Sequence, residues 1–427
     1  MAATKRGVLL LGLFVLALTG VIAQDDATFT PFERYYFMRV SDNPYDAYTP
    51  TTNLYSMSPG DDAPIQETAG GWDHMPILSP DGRYLVYTAY PPLITAALER
   101  GEEVYSDYFC CGPYPTEIHL IDLTKPQDDP TRITQITEPL TVNEITTDLS
   151  PYHYNSDPVW SPDGTRFAWV ESFEDSRLLM YDTRTGEIQT IASSVNAGYG
   201  DGSDWSVERM ESWGGGIAHT YTRPEIHAVE IDGSWGVMLE IFSETGDASN
   251  HVITYLTSQT DEYDYWLTWV EYGGEWRVLI YYTESGFVLF DPLTNIFEVL
   301  DDPPVFESIL GGGWQGVILP DPAPLNPRLG GQTVEWHVNG AALEHQPPDT
   351  LTFTTFDPSG VPLFVTDVTR TLVYWDAENS TITPVLPETD DLWQIGAVEW
   401  VPGVWRVTGE TTPVEQTCCA LWTSPGS

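Results

Sequence analysis

The chain has 427 residues, of which 41% are hydrophobic, with 16 Trp and 23 Tyr. This apolar content is enough for a core and excludes a disordered chain. The formal net charge is −46, with 63 acidic residues against 17 basic ones. A surface this negative repels nucleic acid and other polyanions, so no nucleic-acid partner is expected and cationic partners are favoured. Solubility in a salty or acidic medium is the other explanation of the charge.

The N-terminus has the pattern of a secretory signal peptide. Two basic residues precede an apolar run from Gly7 to Ala23, and small or β-branched residues stand one and three positions before Gln24. The pattern predicts a signal peptide at residues 1–23 and therefore a secreted, periplasmic or cell-surface protein. An uncleaved anchor is the alternative, although the run is slightly short for a spanning helix. No later stretch is long and apolar enough to span a bilayer, and no linker divides residues 24–427, which are expected to form a single domain.

The turn sequence Ser-Pro-Asp-Gly occurs at residues 79–82 and 161–164, and a worn copy, Asp-Pro-Ser-Gly, occurs at 357–360. Proline presets φ, aspartate hydrogen-bonds its own backbone, and glycine takes a positive φ. Because a hydrophobic run stands on each side, each copy predicts a tight hairpin between two strands. We therefore assign structural rather than catalytic roles to Pro80, Asp81, Gly82, Pro162, Asp163 and Gly164.

The strand pattern around these turns repeats along the chain. In the clearest units a strand, the turn, a second strand, a third strand ending in Asp and a fourth strand follow one another. One weaker unit includes a predicted strand from His227 to Ile231. The predicted units span residues 35–68, 72–137, 157–192, 216–242, 265–300, 312–346, 351–386 and 397–422.

A four-stranded meander cannot bury both of its faces alone, so copies must stack around an axis. We therefore predict an all-β fold, a β-propeller of four-stranded antiparallel blades, with seven blades preferred within a range of six to eight. The N-terminal strands and the C-terminal unit are expected to lie side by side and close the ring, because closure removes a free strand edge.

The segment from Trp160 to Trp169, followed by the third strand from Leu178 to Asp182, resembles the TolB-like, or PD40 (WD40-like), β-propeller repeats. The resemblance implies the propeller fold and a scaffold role. In that family, such repeats occur in periplasmic scaffold proteins, in propeller domains attached to hydrolases and in some polysaccharide lyases. This chain departs from TolB because it lacks a preceding α/β domain. It also lacks the Gly-x-Ser-x-Gly elbow of an attached hydrolase.

The leading functional prediction is an exported, non-catalytic propeller that binds a protein or carbohydrate ligand on its loop face. One alternative is an enzyme, either a metal-dependent polysaccharide lyase or a glycoside hydrolase, in which His74, His153 and His219 converge on the central channel. A third alternative is a structural subunit of an extracellular assembly, formed by self-assembly. Whether the chain is an enzyme is left open by the sequence.

The four cysteines form two adjacent pairs, Cys110 with Cys111 and Cys418 with Cys419. In an exported protein they are expected to be oxidised to disulfides. Two vicinal disulfides and cross-pairing between the two sites both remain open. Zinc binding is disfavoured, because adjacent cysteines lack the usual chelate spacing.

Two short acidic loops carry the oxygen ligands that Ca²⁺ prefers. Their candidate ligands are Asp201, Asp204, Asp261 and Asp264. Neither loop matches a complete calcium-binding pattern, so a solvated turn is the alternative for each, and no other cofactor is predicted.

Three tryptophans, Trp205, Trp213 and Trp235, lie in a glycine-rich region. If they are exposed, they form a stacking platform for a sugar or a protein ligand. Packing between blades is the alternative.

Overall fold

The computed structural model describes residues 29–41, 51–99, 116–125, 129–134, 154–156, 158–172, 177–193, 209–224, 235–256, 265–282, 286–300, 305–308, 312–318, 334–348, 350–366, 371–385, 394–399, 405–408 and 411–413. The predicted signal peptide lies outside these ranges, and its cleavage stays a prediction.

The described strands form seven four-stranded antiparallel blades of a β-propeller. Blade 1 begins with β1 (Tyr35–Ser41), β2 (Thr51–Met57) and β3 (Ile65–Gln66). Blade 2 has β4 (Asp73–Leu78), β5 (Tyr84–Ala89), the helix α1 (Pro92–Glu99), β6 (Glu117–Asp122) and β7 (Thr131–Arg132). Blade 3 has a divided inner strand and comprises β8 (Tyr154–Asn155), β9 (Val159–Trp160), β10 (Arg166–Ser172), β11 (Arg177–Asp182) and β12 (Glu187–Ser193).

The next four blades follow in chain order. Blade 4 has β13 (Arg209–Trp213), β14 (Ile217–Pro224), β15 (Trp235–Phe242) and β16 (Ala248–Leu256). Blade 5 has β17 (Tyr265–Tyr272), β18 (Glu275–Tyr282), β19 (Gly286–Asp291) and β20 (Ile296–Leu300). Blade 6 has β21 (Val305–Ser308), β22 (Trp314–Ile318), β23 (Val334–Val338) and β24 (Ala341–Ala342). Blade 7 has β25 (Leu351–Phe356), β26 (Pro362–Thr366), β27 (Leu372–Asp376) and β28 (Thr381–Pro384).

The ring closes through β29 (Gln394–Glu399), which is the innermost strand of blade 1. β29 pairs antiparallel with β1, so that Phe37 lies opposite Val398. Tyr35 and Phe37 of β1 are fully buried and pack against Leu363 of blade 7. The two ends of the chain thus complete one blade between them. The predicted all-β propeller, its preferred count of seven blades and its closure by the N- and C-terminal segments are confirmed.

Two further strands, β30 (Trp405–Thr408) and β31 (Thr411–Pro413), follow β29, and we call them together the C-terminal strap. β30 pairs with β17 and β21, whereas β31 pairs with β20, so the strap joins blade 5 to blade 6. The unit predicted at residues 397–422 is therefore wrong as a single unit. Its first strand belongs to blade 1 and its second belongs to the strap, because each finds its partner strand far away along the chain.

Two weaker units also differ from prediction. Blade 4 includes β13 and β16, which the predicted unit at residues 216–242 leaves out, and the strand predicted from His227 to Ile231 lies outside the described residues. Blade 6 begins at Val305 rather than near residue 312. β16 opens with polar residues, and its pairing along the whole of β15 overrides their weak strand propensity.

The core lies between neighbouring blades, as β10 shows. Phe167 and Trp169 pack against Ile118 of blade 2. Ala168 packs against Ile217 of blade 4. Side chains alternate between the two faces of a strand, so a strand inside this ring is buried on both faces. Each large side chain buried in this way contributes roughly 1.5–3 kcal/mol, which makes apolar packing the main force between blades.

The Ser-Pro-Asp-Gly stretches form the turns after the innermost strands of blades 2 and 3. Ser79 Oγ donates to Asp81 Oδ1 at 2.6 Å, and the Gly82 N–H donates to the Ser79 carbonyl at 2.8 Å, with φ of 70° at Gly82. The copy at residues 161–164 repeats both bonds. A Cβ on Gly164 would lie 3.3 Å from Asp81, so the two turns also contact one another. Glycine is therefore required by the positive φ and by the close approach of the next blade.

Two glycines of blade 6 allow the effect of a positive φ to be distinguished from the effect of close approach by a neighbouring blade. Both have a positive φ, 87° at Gly312 and 79° at Gly340. A Cβ on Gly312 would lie 2.5 Å from the Ser359 carbonyl oxygen in blade 7, whereas nothing lies within 4 Å at Gly340. We expect Gly340→Ala to lower the free energy of unfolding by about 1–2 kcal/mol through backbone strain alone. Gly312→Ala should lower it clearly more, and urea denaturation followed by tryptophan fluorescence measures both. Equal losses would mean that the contact between these turns contributes nothing.

Candidate functional site

The two faces of the ring differ in their connections. Because neighbouring strands are antiparallel, the connections after the first and third strands of a blade leave from one face, and those after the second and fourth strands leave from the other. On the first face, which we call the short-turn face, these connections have two to eight residues. On the opposite face, the long-connection face, the longest connection runs over residues 90–116. The long-connection face therefore has most of the chain that is free to form a site.

Acidic residues are concentrated in the connections of the long-connection face. Six stretches each carry three acidic residues, and all six together contain one basic residue, Arg100. The stretches lie outside the described residues, and the structure places the strand ends that they join. They are residues 100–115, 135–153, 194–208, 225–234, 257–264 and 386–393.

Several carboxylates of the short-turn face accept hydrogen bonds within their own turns. Asp182, which ends the third strand of blade 3, accepts the Arg184 N–H at 2.8 Å, and a hydrogen bond from the Arg184 guanidinium lowers the pKa of Asp182 to about 2. Asp291 accepts the Leu293 N–H at 2.9 Å in blade 5, and Asp376 has the same role in blade 7. The Asp that ends a third strand is therefore a turn residue, because its side chain replaces a backbone acceptor.

Most described cations are already paired with carboxylates of the chain. The pairs tie turns and strand ends together and leave the excess of acidic residues without compensation. The paired residues are Arg34, Arg83, Lys125, Arg132, Arg166, Arg177, Arg184, Arg277 and Arg406.

A buried polar cluster lies in blade 2 at the root of the longest connection. Glu117, the first residue of β6, is fully buried and accepts two hydrogen bonds from Arg132, with Nη2–Oε1 at 2.6 Å and Nε–Oε2 at 3.0 Å. His119 lies between Glu117 and Tyr87, with Nε2 at 3.5 Å from the Glu117 carboxylate and Nδ1 at 3.4 Å from the Tyr87 hydroxyl. Tyr87 packs against Leu54, so the cluster faces blade 1.

Asp73, the first residue of β4, adds a second buried carboxyl to this region. It is 4% exposed, and its Oδ2 accepts the Gly70 N–H at 3.2 Å. Burial raises the pKa of the Asp73 carboxyl. Burial, together with the nearby charge of Asp73, also raises the pKa of the Tyr87 hydroxyl. Because these groups are buried and bonded mainly within the protein, the cluster fixes the strand ends from which the longest connection leaves.

His74 stands next to this cluster on β4 and packs against Tyr90, with ring centroids 5.2 Å apart. Its Nε2 is buried and has no hydrogen-bond partner among the described residues. Burial lowers the pKa of His74 to about 4. His219 lies on β14, the second strand of blade 4, and His153 lies outside the described residues. Of the two described histidines, only His74 lies on an innermost strand, so the structure does not bring His74 and His219 together there.

Most of the other predicted site residues fall outside the described ranges. Trp213 ends β13 and lies opposite Ile217, whereas Trp235 begins β15 and lies opposite Pro224. These two backbone positions are separated by the length of β14, about 23 Å, so the structure does not bring them together. The cysteine pairings, the calcium sites and the tryptophan platform stay predictions for Cys110, Cys111, Cys418, Cys419, Asp201, Asp204, Asp261, Asp264 and Trp205.

The described part of the chain contains neither a candidate metal site nor a candidate membrane-spanning helix. No group of three or more His, Cys, Asp or Glu residues there is placed to hold a metal ion. No helix within the same ranges is long and apolar enough to cross a membrane.

No protein-family model matches the chain, and no curated protein sequence matches it. Similar solved structures include the β-propeller domain of the trilobed protease from Pyrococcus furiosus, at 13% identity and TM-score 0.45, with 85% of this chain and 95% of that chain covered. TolB from Acinetobacter baumannii has 12% identity and TM-score 0.36, with 88% and 67% covered. Oligogalacturonate lyase from Vibrio parahaemolyticus has 14% identity and TM-score 0.38, with 79% and 89% covered. At these identities the similarity concerns the fold alone.

Removal of Arg132 tests the buried cluster. Arg132→Ala leaves the Glu117 carboxylate buried without its partner, so we expect the free energy of unfolding to fall by about 3 kcal/mol. Arg184→Ala is the matched control, because Arg184 pairs with Asp182 in an exposed turn and its loss should cost much less. Adding Glu117→Gln to Arg132→Ala should recover part of the loss, since a neutral amide costs less to bury. Urea denaturation measures all three, and equal losses from the two arginine changes would contradict the assignment.

The histidine at the start of β4 gives a pH-dependent prediction. The pKa of His74 is lowered from 6.5 to about 4 in the folded chain, so below pH 6.5 only the unfolded chain takes up the proton. Folding stability should therefore fall as the pH drops from 6.5 towards 4, by up to roughly 3 kcal/mol from this group. His74→Gln should remove that part of the acid sensitivity, and His345→Gln, at an exposed histidine, serves as control. The two variants would show the same pH profile if His74 were not buried in its neutral form.

Proposed function

We propose that the chain is an exported, non-catalytic binding module, and that its long-connection face binds a cationic partner protein. The observation that carries the proposal is that the strand ends joined by six stretches, each with three acidic residues, lie on one face of the ring, and that these stretches together contain a single basic residue. Charges of one sign gathered on one face add their potentials, which attracts an oppositely charged partner and speeds its association.

The propeller supplies a rigid frame for this face. Its strands are held by apolar packing between blades, as around Trp169, and by the buried pair of Glu117 and Arg132 at the root of the longest connection. Binding segments displayed on rigid strand ends lose less conformational entropy when a partner is bound. The opposite face is made of short turns whose carboxylates accept hydrogen bonds locally, as Asp182 and Asp376 do.

The negative charge of the long-connection face also favours one class of partner over others. An acidic polysaccharide is repelled by a surface of this sign, and a neutral sugar gains nothing from it. A basic protein gains an attraction that is screened beyond about 8–10 Å at ordinary ionic strength, so its contacts must lie directly over the acidic connections.

A pair of charge-matched variants tests the face. The first changes one acidic connection, Asp261→Asn, Glu262→Gln and Asp264→Asn. The control makes the same change in net charge on the short-turn face, through the exposed residues Asp62→Asn, Glu187→Gln and Glu378→Gln. Binding of a deca-lysine peptide is measured by calorimetry at low and at physiological salt.

We expect the first variant to lose about 1–2 kcal/mol of binding free energy, roughly ten-fold in Kd, and the control to lose clearly less. Both variants have the same net charge, so a difference between their binding free energies is due to the face that carries the changed residues and not to the total charge. Equal losses in the two variants would overturn the proposal, as would binding that is unaffected by salt.

A further inference from the structure

The innermost strands of blades 5 and 6 do not pair with one another, because the C-terminal strap lies between them. Arg406 of β30 lies opposite Glu307 of β21 in an antiparallel pair and opposite Glu271 of β17 in a parallel one. At other junctions of the ring innermost strands of neighbouring blades pack directly, as β13 does against β9 and β17 and as β29 does against β4 and β25. The gap between β17 and β21 is therefore wide enough for one additional strand, and here the chain fills it with its own end.

The strap follows the chain that leads from blade 5 into blade 6. β31 pairs antiparallel with β20, from Leu300 opposite Thr411 to Glu298 opposite Pro413. β30 pairs antiparallel with β21, from Val305 opposite Thr408 onwards. The strap thus uses the outer edge of one blade and the inner edge of the next. Strand edges offer unpaired N–H and C=O groups to any extended chain, whatever its side chains.

We call the gap between β17 and β21, together with the edge of β20, the slot. One side chain, that of Arg406, shows that the slot prefers a cation. Arg406 donates from Nη1 to Glu307 Oε1 and from Nη2 to Glu271 Oε2, each at 3.2 Å. The two carboxylates come from different blades and carry like charges, so they need a cation between them. The planar guanidinium, with its several donors, can bond both at once, which a lysine ammonium does less well.

The strap can leave this slot without opening the ring. Ring closure is made by β29 and β1, and the strap begins six residues after β29 ends, beyond a segment that contains Pro402 and Gly403. The ion pairs of Arg406 are partly exposed, with side-chain exposures of 42% for Arg406, 32% for Glu271 and 30% for Glu307. Partly exposed pairs contribute little to stability, so the strap is held mainly by the backbone pairing of β30 and β31, and its local release leaves the seven blades in place.

We propose that the slot between blades 5 and 6 is a binding site for an extended, arginine-bearing peptide segment of a partner protein, and that the C-terminal strap is its intramolecular occupant. The partner strand pairs with β20 and β21 and places its arginine between Glu271 and Glu307. The strap then acts as a built-in competitor that sets the affinity. This site is separate from the acidic connections of the long-connection face, and neither proposal depends on the other.

The test uses the full chain and a fluorescein-labelled peptide with the sequence of residues 401–415. Arg406→Glu places a third carboxylate in the slot and is designed to release the strap. Arg184→Glu is the matched control, since it makes the same charge change at an arginine that pairs within its own turn. We expect the peptide to bind Arg406→Glu at least ten-fold more tightly than the unchanged chain or Arg184→Glu, as measured by fluorescence anisotropy. A peptide with glutamate in place of its arginine should bind at least ten-fold more weakly.

Equal affinity for the three proteins would overturn the proposal, as would binding that does not depend on the arginine of the peptide. If Arg406→Glu fails to fold, hydrogen exchange on the unchanged full chain decides instead. We expect the amides of residues 305–308 and 405–408 to exchange together and faster than those of residues 372–376 in blade 7. Exchange of both segments only at the rate of the whole molecule would mean that the strap is a fixed part of the fold, and would equally overturn the proposal.

Discussion

The rest of the structure depends on the backbone pairing between β1 and β29, which brings the two ends of the chain into one blade. Without it, blade 1 would lack its innermost strand, and β1, whose Phe37 packs against Leu363 of blade 7, would lose its pairing partner on one edge. β29 also packs beside β4 and β25, so a single strand fixes the positions of blades 2 and 7. Because β29 and β1 close the ring without the strap, the proposed release of the strap would leave the ring intact.

Because the strands of each blade are antiparallel, one face of the ring has the short stabilising turns and the other has the long acidic connections. Connections after the first and third strands are short and use their own Asp and Gly residues, which hold neighbouring blades at contact distance, as Gly164 does against Asp81. Connections after the second and fourth strands include the longest connection and all six acidic stretches. A fold of this kind can change its ligand without changing its frame, because the residues that stabilise it are on one face and the variable chain is on the other.

The sequence predicts best those blades whose turns are held by hydrogen bonds between residues close together in the chain. Ser-Pro-Asp-Gly and the Asp at the end of a third strand bond within a few residues, so blades 2, 3, 5 and 7 have strands close to those expected. β13, β16 and the strap are stabilised by strands far along the chain, and local pattern does not reveal such partners. The alternation in β6 places Glu117 and His119 on one face, yet their partners Arg132 and Asp73 come from other strands.

The central claim is that the long-connection face is the surface that meets a cationic partner. Carbodiimide cross-linking of a deca-lysine peptide to the full chain tests it directly, because the reagent joins an amine to a carboxylate that it touches. The chain has only two lysines, Lys5 and Lys125, so links within it are few. Mass spectrometry should find the linked carboxylates within residues 100–115, 135–153, 194–208, 225–234, 257–264 and 386–393. Links concentrated at carboxylates of the short-turn face, such as Asp61, Asp62, Glu187 and Glu378, would contradict the account.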